Sequence, residues 1–183
     1  MPSLPDFTHQ GRLPPGDYEL TLNELRASFL VQGPVGYPDW DMVWRAQLVD
    51  NLEILVHQLW QVGITEIYIG GSFVEDIDHP NDIDGYFTCD PSRWISGEIK
   101  ATLNRLDPDH IWEWDSSARK RHPDAAVPKI PMWHRYRVEL YPEYGQGSGI
   151  LDRFGNELTF PPAFRLPRWG RNRRGIVKIG GPA

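Results

Sequence analysis

The chain is poor in the features that mark secreted, disulfide-built or membrane-spanning proteins. It holds one cysteine, Cys89, so no internal disulfide can form, which suits a reducing compartment. No run approaches the roughly 18 consecutive apolar residues that a membrane span needs. The opening Met1-Pro2-Ser3-Leu4-Pro5-Asp6 has neither the basic nor the apolar region of an export signal. The expectation is a cytoplasmic protein with no membrane partner. Cys89 ends an apolar run and has no obvious neighbouring His, which makes it a half-buried structural thiol rather than a nucleophile. Gly-x-Ser-x-Gly and Gly-Lys-Ser/Thr are both missing, which argues against a serine hydrolase and a P-loop enzyme. His79, His110, His122 and His134 lack zinc spacing, and one cysteine cannot supply a structural zinc site. There is no internal repeat and no low-complexity segment.

What is present is enough for a core. With 183 residues, 40% of them hydrophobic and eight of them Trp, the chain is expected to form one domain over 1–183. The net charge of -6 hides a division: residues 1–118 carry 20 acids and 6 bases, and residues 119–183 carry 5 acids and 13 bases. A basic C-terminal third suggests an anionic partner, with nucleotide phosphates or nucleic acid the usual candidates.

Pro14-Pro15-Gly16-Asp17 reads as a turn closing a loose N-terminal arm over 1–20. Thr21-Leu22-Asn23-Glu24 has capping-box form, which predicts a helix over 22–30 stopped by Gly33-Pro34. A second helix is predicted over 40–61, with Val43, Leu48, Leu52, Leu55 and Leu59 on its apolar face and Gly63 as its stop. Residues 65–69 read as a buried strand and 83–88 as the next. The loop between them is so short, and so interrupted by Pro80, that antiparallel pairing is the easier geometry. Asp90-Pro91-Ser92 opens a third helix to about 106, with Trp94, Ile95, Ile99, Leu103 and Leu106 inward. Further strands are expected at 111–114, 135–141 and 176–179. Helices alternating with short strands predict an α/β or α+β domain around one mixed sheet.

The chemistry concentrates between Ile69 and Phe87. On a strand Asp82 and Asp84 point the same way, and two carboxylates that close repel unless a cation lies between them. A hard divalent ion with oxygen ligands removes that conflict, and Mg²⁺ also takes phosphate oxygens. Gly70, Gly71 and Ser72 stand where the preceding strand ends, small enough for backbone amides and a hydroxyl to approach phosphate. Asp76-Ile77-Asp78 repeats the Asp-Ile-Asp pattern, but His79-Pro80-Asn81 follows it, so it reads as a solvated loop. A calcium loop is excluded because Pro80 and Phe87 fall where oxygen ligands belong. Asp107-Pro108-Asp109 reads as a turn. Two-metal chemistry needs a further carboxylate. Glu139, between Val138 and Leu140, faces away from the core if its segment is a strand. It is either that ligand or an ion-pair partner of Arg135 or Arg137, and the upstream aspartates favour the ligand.

Gly71-Ser72, Asp82-Ile83-Asp84 and the lone Glu139 together resemble the signature of the DNA polymerase beta nucleotidyltransferase superfamily, over residues 65–141. More narrowly, Leu13-Pro14-Pro15-Gly16, Gly71-Ser72-Phe73, Pro80-Asn81-Asp82-Ile83-Asp84-Gly85 and Gly175-Ile176-Val177 look like a family of short bacterial and phage nucleotidyltransferase-like proteins. Some wider relatives of that family act in toxin-antitoxin or phage-defence systems. The chain departs from the superfamily pattern by carrying Glu75 and Asp76 where many members have other residues, which places negative charge beside the expected triphosphate.

The resemblance implies a mixed-sheet fold flanked by helices, with Asp82, Asp84 and Glu139 holding two Mg²⁺ or Mn²⁺ ions and Gly70, Gly71 and Ser72 holding an NTP. The implied reaction moves a nucleoside monophosphate to a hydroxyl of RNA, such as a tRNA end, or of a protein. The basic segment 165–183, with Arg165, Arg168, Trp169, Arg171, Arg173, Arg174 and Lys178, and the run Arg119-Lys120-Arg121-His122 would meet phosphate or an RNA backbone. If 175–179 folds back on the sheet, Arg174 or Lys178 reaches the site. The alternatives are a binding module of a toxin-antitoxin or defence system that retains the fold without turnover, and a metal-dependent phosphodiesterase.

Overall fold

A computed structural model describes residues 4–166 and 173–181. In chain order it runs β1 (Asp17–Leu20), α1 (Leu22–Ala27), α2 (Phe29–Gln32), α3 (Met42–Gln61), β2 (Ile67–Gly70), a single 3₁₀ turn (Gly71–Val74) and β3 (Ile83–Thr88). Then come α4 (Pro91–Ile95), α5 (Glu98–Leu106), α6 (Pro131–Tyr136), β4 (Val138–Glu143), α7 (Phe160–Phe164) and β5 (Ile176–Ile179). The five strands form one sheet in the order β1-β5-β2-β3-β4. β1 runs parallel to β5 and β3 parallel to β4, while β2 is antiparallel to both of its neighbours. The result is an α+β fold, an open mixed sheet flanked by helices. No helix among the described residues is long and apolar enough to cross a membrane.

Alternation along the strands divides the sheet into two unlike faces. Ile67, Ile69, Ile83, Phe87, Val138, Leu140, Val177 and Ile179 point to one side and join Leu48, Leu52, Leu55, Val56 and Leu59 of α3 in the core. Each such aliphatic side chain contributes roughly 1.5–3 kcal/mol by leaving water. The other face carries Tyr68, Asp84, Tyr86, Glu139 and Tyr141. Part of it is covered by α7, with Phe164 against Tyr86 at 5.3 Å and Phe160 stacked on Tyr141 at 5.6 Å between ring centres.

Several expectations need correction, each for a local reason. The N-terminal arm is not loose: it supplies the edge strand β1, and Leu13 is fully buried. The Leu13 carbonyl accepts from the amide of Gly175 at 3.0 Å. A side chain on Gly175 would strike the Pro14 carbonyl and the Tyr18 ring, which explains a glycine there. The helix expected over 22–30 breaks at Ser28, whose hydroxyl donates to the Leu25 carbonyl at 2.7 Å while its backbone is extended. The capping box itself forms as expected, with Thr21 and Glu24 each accepting the other's amide.

The helix expected over 91–106 is broken at Gly97 (φ 77°) into α4 and α5, which leaves Ile95 78% exposed and Leu106 partly so. Val43 also faces solvent on α3. Residues 111–114 form no strand. The Asn104 side chain takes the place of a partner strand there, exchanging two hydrogen bonds with the Trp112 backbone. The strand expected at 135–141 starts only at Val138, because Pro131 opens α6 and Arg137 closes it in a left-handed conformation (φ 53°).

Candidate metal centre and nucleotide cleft

The parallel register of β3 and β4 sets Asp84 directly beside Glu139, and Asp82 lies two residues before Asp84 on the same face. One carboxylate oxygen from each of Asp82, Asp84 and Glu139 lies within 4.8 Å of the others, and no other such group of three occurs among the described residues. Asp82 and Glu139 are buried and Asp84 is half-buried. Neither Arg135 nor Arg137 pairs with Glu139: Arg135 holds Asp109 at 2.6 Å, and Arg137 holds Asp124 at 2.8 Å while lying 4.0 Å over the Trp133 ring.

Two partners of the triad escape detection by pattern. Lys129 places its ammonium between Asp82 Oδ2 at 2.9 Å and Glu139 Oε2 at 2.6 Å, and the Trp133 indole N–H donates to Asp82 Oδ2 at 2.6 Å. Burial pulls the Lys129 ammonium down, but Asp82 and Glu139 overcome this and hold its pKa above the ordinary value. Asp84 is in the opposite position. Burial first, then the charge of Asp82, push its carboxyl up to about 7; Glu139 adds to this, and Lys129 and Arg174 oppose it. No hydrogen-bond donor among the described residues reaches the Asp84 carboxylate. An acidic group without a donor, facing two more carboxylates, is suited to a hard divalent cation, so the residues present fit Mg²⁺ or Mn²⁺.

The triad opens into a cleft of about 480 Å³ walled by Gly71, Ser72, Pro80, Val127 and Arg174, among others. Antiparallel pairing of β2 and β3 sets Gly70 opposite Asp84, so the chain turns directly above the carboxylate. Gly71 has φ +67°, and a Cβ there would lie 2.6 Å from Asp84 Oδ2, so only glycine fits. Ser72 lines the cleft with a hydroxyl that makes no hydrogen bond among the described residues, whereas Gly70 is strand backbone just behind the wall.

The loop over 71–81 is fixed from beneath by the start of α3. Arg45, fully buried, donates from Nη1 to the carbonyls of Leu30 and Phe73, at 2.7 and 2.9 Å, and from Nη2 to those of Glu75 and Ile77, at 3.3 and 2.6 Å. Burial lowers its pKa to about 9, so it is still a cation at neutral pH. Trp44 donates to the Pro80 carbonyl at 2.6 Å and stacks on His79, which pairs with Asp41. Asp76 and Ile77 are exposed and lie outside the triad, as a solvated loop should.

Part of the charge division found in the sequence is taken up by internal pairing. Arg174 lines the cleft but binds Glu75 at 2.7 Å, and Arg12 lies 3.8 Å from the same carboxylate, so the acidic loop is compensated. Arg165 pairs with Asp17. Lys178 does not reach the cleft: its register opposite Tyr68 takes it to Glu66 at 3.0 Å and Glu19 at 3.7 Å. Arg168, Trp169 and Arg171 lie outside the described residues. Asp107 is more than a turn residue. It is buried and accepts from Gln58 Nε2 and the Tyr136 hydroxyl, tying α3 to α6. Cys89 is buried and its thiol is pushed up to about 11 by burial and by Glu143, consistent with an inert role.

Comparison with known families matches residues 5–180 to the family of unknown function DUF6932, and the chain belongs to that family. No curated protein and no solved structure gives a significant match.

Proposed function

We propose that this DUF6932 member is a metal-dependent nucleotidyltransferase, moving a nucleoside monophosphate from an NTP to a hydroxyl of RNA, such as a tRNA end, or of a protein. The observation that carries this is the convergence of Asp82, Asp84 and Glu139 beneath a glycine-serine turn at the mouth of one cleft. Separation of these residues by 55 positions between Asp84 and Glu139 makes that convergence a property of the fold and not of local chain proximity. The resemblance to the polymerase beta superfamily supports the same assignment.

In this reading Asp82, Asp84 and Glu139 hold Mg²⁺ or Mn²⁺, which when bound supplies charge for the triphosphate and lowers the pKa of the attacking hydroxyl. Gly71 and Ser72 receive the β- and γ-phosphates, with the Ser72 hydroxyl free to donate. Arg174 stands at the same wall and can exchange its contact with Glu75 for phosphate. The acceptor oxygen forms a bond to the α-phosphorus, the bond to the bridging oxygen breaks, and pyrophosphate leaves. The acceptor's proton passes to Glu139, whose Oε1 receives only a 3.4 Å contact from the Tyr141 hydroxyl. Lys129 and Trp133 fix the carboxylates in place. A cytoplasmic setting, where NTPs and Mg²⁺ are both supplied, suits the reaction.

The test is transfer of label from each α-labelled NTP to total RNA or lysate protein in Mg²⁺ or Mn²⁺, beside Asp82→Asn, Asp84→Asn and Glu139→Gln. The expected result is label on one class of acceptor, lost in all three variants and absent with γ-labelled NTP. No transfer together with no metal-dependent NTP binding would leave a binding module. RNA shortening that needs Asp84 but no NTP would identify a phosphodiesterase instead.

A further inference from the structure

The three carboxylates bring three negative charges to one point, and the protein already places a cation among them. Lys129 Nζ is in contact with both Asp82 Oδ2 and Glu139 Oε2, with 15% of its side chain exposed. This is not a flexible surface lysine that happens to reach an acid. Its backbone is fixed on both sides: the Lys129 amide donates to the Lys120 carbonyl at 2.8 Å, and the Lys129 carbonyl accepts from Lys120 at 2.9 Å. The next residue, Ile130, is fully buried and leads into α6. The ammonium also stands 5.5 Å from the centre of the Trp133 ring.

The supply of free oxygens follows. Asp82 Oδ2 accepts from both Lys129 and Trp133, and Glu139 Oε2 accepts from Lys129. An ion seated between Asp82 and Glu139 would need the two oxygens that face each other there, Asp82 Oδ2 and Glu139 Oε2, and Lys129 occupies both. Asp82 has one to give. What remains is Asp82 Oδ1, the whole Asp84 carboxylate and Glu139 Oε1, a set for one ion on the cleft side of the triad. Charge leads to the same count. Three carboxylates and one ammonium leave two negative charges, which one divalent ion neutralises; without the ammonium, one negative charge is left over after a first ion.

We infer that Lys129 is a built-in second cation, and that the site takes up one divalent ion where the arrangement of three carboxylates alone would take two. The inference rests on the metal-binding part of the proposed function but not on the identity of the nucleotide or the acceptor. It assigns to Lys129 the position of the missing ion and half of its charge: it holds Glu139 and Asp82 in register and leaves the outer position to the exchangeable metal.

The experiment is Mn²⁺ stoichiometry on the full chain without nucleotide, by calorimetry and by electron paramagnetic resonance of free Mn²⁺. It is carried out on the wild type, Lys129→Arg and Lys129→Met, with near-ultraviolet circular dichroism from Trp133 and its neighbours reporting folding. The expected result is one ion per chain in the wild type and in Lys129→Arg, and two in Lys129→Met. Two ions in the wild type, or one in a folded Lys129→Met, overturns the inference and leaves the metal site standing. No uptake by the wild type overturns the metal site and this inference with it. If Lys129→Met does not fold, Lys129→Gln, which keeps an N–H donor for both carboxylates and removes the charge, is read by the same two outcomes.

Discussion

Replacing Asp84 with Asn should make the metal-free protein more stable while abolishing its response to metal. Asp84 is half-buried among like charges with no donor among the described residues, and its carboxyl is pushed up to about 7 from an ordinary 3.8. A carboxyl whose folded pKa is raised binds more protons folded than unfolded between those two values, so stability falls as pH rises through that window. The penalty is absent below the lower value and complete above the upper one. Its ceiling is ~4 kcal/mol. The half-buried side chain opens onto a cleft where water screens it, so about 1–3 kcal/mol is the expected size. For a chain of this length each kcal/mol moves the melting temperature by roughly 2–4 °C. Thermal unfolding in chelator should therefore put Asp84→Asn about 2–12 °C above the wild type near pH 8, with the gap closing toward about pH 4. Adding Mn²⁺ should raise the wild type and leave the variant unmoved. A variant that melts lower than the wild type at high pH, or one stabilised by Mn²⁺ as much as the wild type, refutes the reasoning.

Other substitutions probe the surroundings of the triad. Arg45→Met strips partners from four carbonyls, two of them reached through fully buried bonds. It should cost about 3–5 kcal/mol in denaturant unfolding, since buried acceptors left unpaired cost roughly 1–3 kcal/mol each and water recovers part of that. Gly71→Ala forces an alanine into a left-handed conformation with its methyl group against Asp84. A loss of roughly 10–100-fold in Mn²⁺ affinity by calorimetry is expected, as for other changes that displace a ligand from behind. Arg174→Ala should weaken binding of a non-hydrolysable NTP about tenfold, the scale of one lost charge-assisted contact, while Lys178→Ala leaves it unchanged.

Patterns that depend on neighbours in the chain were legible in the sequence. The capping box at Thr21, the period of α3, the bounds of β3 and β5, and the antiparallel return from β2 to β3 all follow from spacing and turn chemistry. So does the common face of Asp82 and Asp84, because strand alternation admits nothing else. Glu139 could be read as a ligand only because Asp82 and Asp84 stand upstream; its place between two apolar strand residues suits an ion pair with Arg135 or Arg137 as well.

Residues that reach the site from elsewhere were not legible. Lys129 and Trp133 act across the turn and helix that precede β4, and nothing in their spacing reports that β4 pairs with β3. Lys178 was misplaced for a related reason: knowing that β5 is a strand does not give its register, and the register carries Lys178 to Glu66. Two signals were present and not used. Arg45 lies three residues before Leu48 and seven before Leu52, on the apolar face of α3, which marks a buried cation. Pro131 suits the first turn of a helix and so marked α6, but the alternation from Arg135 onward suggested a strand.

The central claim is that Asp82, Asp84 and Glu139 together hold a divalent metal that receives a triphosphate from the Gly71-Ser72 turn. Crystals grown with Mn²⁺ and an α,β-methylene NTP test it most directly, through the anomalous signal of the metal. The account predicts a Mn²⁺ peak at about 2.0–2.3 Å from oxygens of all three carboxylates, consistent with hard-cation geometry, and phosphates against Ser72. Crystals that take up the nucleotide elsewhere, or that show Lys129 alone among the carboxylates with no metal peak, would contradict it.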